Sequence, residues 1–119
     1  NFSAPVGAQP SLLTLNDVET IFHEFGHGLH HMLTRQTELA VSGISGVEWD
    51  AVELPSQFME NFVLNWDVMQ TISSHVKTHA KMPRALFDKL VASKNSSVKL
   101  NSPFLTCCST WMSIRIKTR

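Results

Sequence analysis

The sequence predicts a mainly α-helical fold, and three periodic stretches carry that expectation. Val18, Ile21, Phe22, Phe25, Leu29, Met32 and Leu33 recur at the three-and-four spacing of one helical face. A second stretch runs from about Trp49 to Trp66, where Phe58, Met59, Phe62, Val63 and Leu64 leave little polar face. Residues 83–94 form the third, with Leu86, Phe87, Leu90 and Val91 as its apolar stripe.

Taken in order, residues 1–15 read as a loop with at most a short strand, punctuated by Pro5, Gly7 and Pro10. Asn16 followed by Glu19 is a variant capping box, and Asp17 and Glu19 suit the positive end of a helix. The first helix is expected to reach about Thr34. Gly26 and Gly28 inside it cost about 1 kcal/mol each relative to Ala. Close approach of a metal ion, a substrate or a neighbouring helix would explain them. Residues 36–48 then form a connection bent at Gly43 and Gly46. Asp50 is the expected N-cap of the second helix, which sets Glu53 at the third helical position. Pro55 falls late for a first-turn proline, so a distortion is expected near Glu53. The second helix should be buried on most sides.

The chemistry lies in the first helix. Residues 23–27 read His-Glu-Phe-Gly-His, and residues four apart share a helical face one turn apart. His23 and His27 fall roughly opposite the apolar stripe and can hold one zinc ion, with Glu24 beside them as the general base for an activated water. A catalytic zinc takes three protein ligands and keeps one position open. Glu53 is the expected third ligand. Glu60, seven residues on and on the same face, is the expected acceptor for a ligand histidine's other N–H. The competing possibility is that one or both carboxylates cap or solvate the helix. His75 and His79 repeat the four-residue spacing, but Lys77 between them and Pro83 after them mark a helix end and loop, so they are read as non-ligands. His30 and His31 have two readings, lining the substrate cleft or packing and facing solvent, and the second is the expectation.

Residues 23–34, then 41–47 (Val-Ser-Gly-Ile-Ser-Gly-Val), then 49–61, together resemble the thimet oligopeptidase family of zinc metallopeptidases. Asn1-Phe2-Ser3, Pro5-Val6, residues 10–14 and residues 86–90 are similar as well. The resemblance runs from about residue 1 to about 95. It implies that His23, His27 and Glu53 bind one zinc ion and that Glu24 is the catalytic base. It implies a zincin-like core, the motif helix plus a returning Glu-bearing helix, as a fragment of a larger helical peptidase. The implied reaction is hydrolysis of internal bonds in short peptides, in a monomeric cytoplasmic parent without nucleic-acid or membrane partners. Family members add tyrosine and histidine to the site from a distant C-terminal segment, and this chain contains no Tyr. The fragment alone is therefore expected to cleave poorly. Two other readings stand beside this one: a different zincin such as a metallocarboxypeptidase, and a non-catalytic helical interaction module.

Length and charge bound the rest. A chain of 119 residues is one domain at most, marginally able to bury a core by itself. Its 43% hydrophobic and 17% charged residues are ordinary for a globular chain, with no apolar run of membrane length and no leader pattern. An opening Asn suggests an internal piece of something longer. All ten acidic residues precede residue 94, together with five of the ten basic ones, a balance of −5. Residues 94–119 carry +5 through Lys94, Lys99, Arg115, Lys117 and Arg119. The spread is too thin, and too poor in aromatics, to favour nucleic acid. The family pattern stops near Asn95. Codons for residues 100–106 can be chosen so that moving back one base restores Glu-Phe-Ala-Leu-Phe-Asp, the family's continuation. Residues 1–95 are thus read as a partial catalytic domain, and 96–119 as a divergent, frameshifted basic tail. Cys107 and Cys108 carry no function in this reading and fit a reducing compartment.

Overall fold

The computed structural model describes residues 2, 4, 5, 7 and 11–95. The expected tail 96–119, with Cys107 and Cys108, lies outside the described residues, as do Asn1, Ser3 and Val6 of the N-terminal resemblance. Among the described residues the fold is mainly α, as expected. Its elements are α1 (Leu15–Met32), a 3-10 turn (Leu39–Val41), α2 (Leu54–Glu60), a second 3-10 turn (Asn61–Leu64), α3 (Trp66–Ile72) and α4 (Arg84–Asn95). Residues 11–14 are coil, and no strand is present among the described residues. The chain divides into two compact units, Val18–Val63 and the segments Asn1–Asp17 with Leu64–Arg119.

The start of α1 differs from the Asn16 expectation. Thr14 caps it: the Asp17 N–H donates to Thr14 Oγ1 at 3.2 Å, and the Thr14 N–H donates back to Asp17 Oδ2 at 2.7 Å. That is a reciprocal capping box displaced by two residues. The motif of a hydroxyl residue followed three later by an acid was present in Thr14–Asp17 and outweighs the Asn16–Glu19 alternative.

The unit Val18–Val63 holds α1 from Val18 onward and all of α2, and buries Val18, Gly26, Ser56 and Val63. Burial fades along the expected stripe of α1: Val18 is 1% exposed, but Phe25 is 49% and Leu33 73%. The second helix is also shorter and more exposed than expected. It begins at Leu54, not after Asp50, and Pro55 sits in its first turn, where a missing N–H costs nothing. Residues 51–53 are turns held by Ala51 and Val52 N–H bonds to the Glu48 carbonyl. The distortion foreseen near Glu53 is this late helix start. Instead of burying most sides, α2 buries Ser56 while Leu54 and Phe58 stay exposed.

The stretch read as one helix through Trp66 is broken. Asn65 turns extended (φ −89°, ψ 125°) and accepts from the Asp67 and Val68 N–H groups, which starts α3 as a separate helix. In the other unit, Leu13, Met69, Met82, Phe87 and Leu90 are buried. Trp66 meets Phe87 edge-on at 5.3 Å, and the Arg84 guanidinium lies 5.1 Å from the Trp66 ring centre. The third expected helix is α4, with Phe87 and Leu90 buried and Leu86 and Val91 half-buried.

Candidate metal centre

α1 presents His23 and His27 one turn apart, and their rings stand edge to face with centres 4.9 Å apart. Glu53 and Glu60 flank α2, the first just before its first turn and the second as its last residue. The structure brings His23, His27 and Glu53 together, with one donor atom from each inside a 4.8 Å sphere of mutual distances. His23 Nε2 lies 3.2 Å from Glu53 Oε2, and His27 Nε2 lies 3.3 Å from the same oxygen. Glu60 reaches the far side of the first imidazole, Oε1 to His23 Nδ1 at 2.6 Å.

These distances can be compared with what an ion would require. Ligands at about 2.0–2.1 Å from a tetrahedral ion stand roughly 3.3–3.4 Å from one another. Both histidine-to-glutamate spacings match that edge. The donor set, two imidazoles and one carboxylate, is one that catalytic zinc accepts. Both nitrogens of His23 face carboxylate oxygens: a protonated ring would donate to both, whereas a neutral ring donating from Nδ1 to Glu60 would leave the Nε2 lone pair for an ion. The side chains of His23 and His27 are 26% and 22% exposed, so an ion and water can reach the site.

Glu53 occupies the N-cap position of α2 without capping it: its side chain makes no cap hydrogen bond. The carboxylate turns to the histidines instead. Ser56, which the sequence reading passed over, lies beneath it and places Oγ 2.9 Å from Glu53 Oε2. Its signal was the three-residue spacing Glu53–Ser56 inside Glu-Leu-Pro-Ser. Glu24 is exposed on α1 beside His23.

Of the three explanations offered for Gly26, the neighbouring helix is the one observed. A Cβ at Gly26 would sit 2.6 Å from the Pro55 carbonyl oxygen and 2.8 Å from the Ser56 nitrogen, all backbone of α2. Gly28 has nothing within 4 Å of its would-be Cβ. In the connection, Gly43 (φ 64°) and Gly46 (φ 74°) adopt the left-handed backbone their positions require, and the His31 ring fills the space a Gly43 side chain would need.

The remaining histidines stand apart from this group. His30 lines a pocket of about 450 Å³ with Leu29, Leu33, Pro55, Phe58 and Met59. His75 and His79 lie in a tight turn, where His75 Nδ1 accepts from the Thr78 N–H and His79 takes φ 56°.

The sequence model of Peptidase family M3 matches residues 1–110, continuing past the described residues. The chain is 55% identical over 100 residues to oligopeptidase A of Escherichia coli (strain K12), covering 84% of this chain and 15% of that protein. It is 52% identical over 94 residues to the organellar oligopeptidase A, chloroplastic/mitochondrial, of Arabidopsis thaliana, 79% of this chain and 12% of the relative. Saccharolysin of Saccharomyces cerevisiae is 40% identical over 95 residues, 80% and 13%. The chain thus spans about 15% or less of the length of these relatives.

Proposed function

Because the chain belongs to Peptidase family M3, we propose that it forms the metal-binding core of a zinc oligopeptidase that hydrolyses internal bonds of short peptides. His23, His27 and Glu53 hold one zinc ion, and Glu60 fixes the tautomer and ring orientation of His23 by accepting its Nδ1–H. The observation that supports this most directly is the pair of 3.2 and 3.3 Å spacings from two imidazole nitrogens to one carboxylate oxygen.

When bound, zinc polarises a scissile carbonyl and lowers the pKa of its water toward about 7. Glu24, adjacent to His23 and open to solvent, accepts a proton from the attacking water and returns it to the leaving amine. His23 and His27 would present their Nε2 atoms to the ion. Donors for the developing oxyanion are also required, and a sequence without Tyr supplies no phenol for that task. Zinc binding is accordingly the property assigned to these 119 residues, and efficient peptide hydrolysis the property assigned to the longer proteins of the family.

The partners are short peptides, and the parent acts as a monomer in the cytoplasm. No described helix is long and apolar enough to cross a membrane. Among the relatives, one plant protein carries "probable cytosolic" in its name and another "chloroplastic/mitochondrial".

The test is metal content of the purified chain beside two variants. About one zinc per chain is expected, lost in His23→Ala and retained in Glu24→Gln, since Glu24 is assigned to the proton and not the ion. A wild-type chain without zinc, or a His23→Ala chain that keeps it, would overturn the assignment.

A further inference from the structure

We propose, resting on the zinc reading above, that Ser56 is a positioning residue that aims one oxygen of the Glu53 carboxylate at the two histidines. A carboxylate at a helix N-cap ordinarily accepts a backbone N–H from the second or third helical residue. Glu53 does not. Its backbone is helical (φ −84°, ψ −6°) and not extended as a capping residue's would be, and its side chain makes no cap bond. The next residue but one, Pro55, has no N–H to offer. Something else must orient the side chain.

Ser56 Oγ stands 2.9 Å from Glu53 Oε2 and 2.9 Å from the Glu53 backbone oxygen. The hydroxyl has one proton, shared across these two acceptors. Ser56 is 0% exposed, so water does not compete for it. Its backbone is fixed in turn, because Gly26 of α1 packs against Ser56 N and Pro55 O too closely for any side chain between them. The Gly26 contact therefore sets the distance between the elements, and the Ser56 hydroxyl sets the direction of the carboxylate. The oxygen bonded to Ser56 is the same Oε2 that lies 3.2 and 3.3 Å from His23 and His27 Nε2. Accepting from Ser56 leaves Oε2 a second lone pair for an ion. The serine thus selects which carboxylate oxygen meets the ion and holds it there before the ion arrives.

The experiment compares Ser56→Ala with Ser93→Ala in the 119-residue chain. Ser93 is the control because its hydroxyl also donates to a backbone carbonyl, that of Leu90, in the other unit. Zinc affinity is read by chelator competition, ligand geometry by the visible spectrum of the cobalt-substituted chain, and metal-free melting by circular dichroism in chelator. Ser56→Ala is expected to weaken zinc binding by about 10-fold, as loss of a ligand-orienting partner does. It should keep one site per chain, change the cobalt bands, and melt without metal within the range set by Ser93→Ala. Ser93→Ala should bind zinc as the wild type does. Unchanged zinc affinity and cobalt spectrum in Ser56→Ala would overturn this inference alone. So would an affinity loss accompanied by a larger fall in metal-free melting than the control shows. A wild-type chain that takes up no zinc would overturn the zinc reading and this inference with it.

Discussion

His23 sits between two carboxylates, and the proposed zinc site gives different work to each. Glu53 Oε2 faces Nε2 at 3.2 Å, the spacing of two ligands around one ion, whereas Glu60 Oε1 faces Nδ1 at 2.6 Å, the spacing of a charge-assisted hydrogen bond. Removing the charge at position 60 while keeping its shape tests that division. Glu60→Gln retains an acceptor oxygen for His23 Nδ1 but loses the carboxylate charge. Zinc affinity is expected to fall by about 10-fold with one site per chain preserved, measured by chelator competition. An unchanged affinity would mean that Glu60 only solvates the helix end. At this scale much was legible. The His23–His27 pair and the Glu53–Glu60 pair are both helix-period spacings, so each can be read without knowing where the other lies. Ser56 was missed because its role appears only once Glu53 is known to leave its cap position empty.

Elements carry a different lesson, in the two glycines of α1. Both looked equally costly in sequence, yet one is a contact and the other is open. Gly26 lies against the backbone of Pro55 and Ser56, atoms that cannot rotate away, and Gly28 meets nothing within 4 Å. Gly28→Ala should therefore stabilise the chain by up to about 1 kcal/mol through helix propensity. Gly26→Ala should destabilise it by about 1–3 kcal/mol, because overpacking outweighs the same propensity gain. Urea unfolding followed by circular dichroism separates the two signs. Since Gly26 also sets how near α2 comes to the histidines, its alanine variant should lose zinc affinity where the Gly28 variant does not. Helix existence was legible from periodicity, but helix starts were not. Thr14 displaced Asn16 as the cap of α1, Leu54 displaced the start expected after Asp50, and Asn65 split a run of apolar residues that looked continuous. In each case a hydrogen-bonding side chain or a proline decided the boundary, and the apolar pattern running across it was indifferent.

At the scale of the molecule, exposed apolar side chains stand out among the described residues. Leu39 and Trp49 are 89% and 87% exposed, and Leu33, Leu54 and Phe58 are all exposed in the unit Val18–Val63. Side chains of this kind are surface that further protein can cover, and the relatives are proteins of which this chain spans about 15% or less. The chain is expected to bind an environment-sensitive apolar dye such as anilinonaphthalene sulfonate under native conditions, with a severalfold rise in fluorescence. Leu54→Gln combined with Phe58→Gln should reduce that signal without loss of zinc. A signal at the level of a compact globular control would show that this face is covered in solution.

Sequence by itself determined the mainly helical architecture and the helix-period spacing of the two histidines and the two carboxylates, because an α-helix repeats every few residues and converts local spacing into a shared face. Tertiary structure decided which oxygen meets which nitrogen, why Gly26 has no side chain, and that the Ser56 hydroxyl meets the Glu53 carboxylate. Those facts depend on two segments meeting across a long stretch of chain, 37 residues between His23 and Glu60. No local period encodes that meeting; the backbone contact at Gly26 and the late start of α2 do.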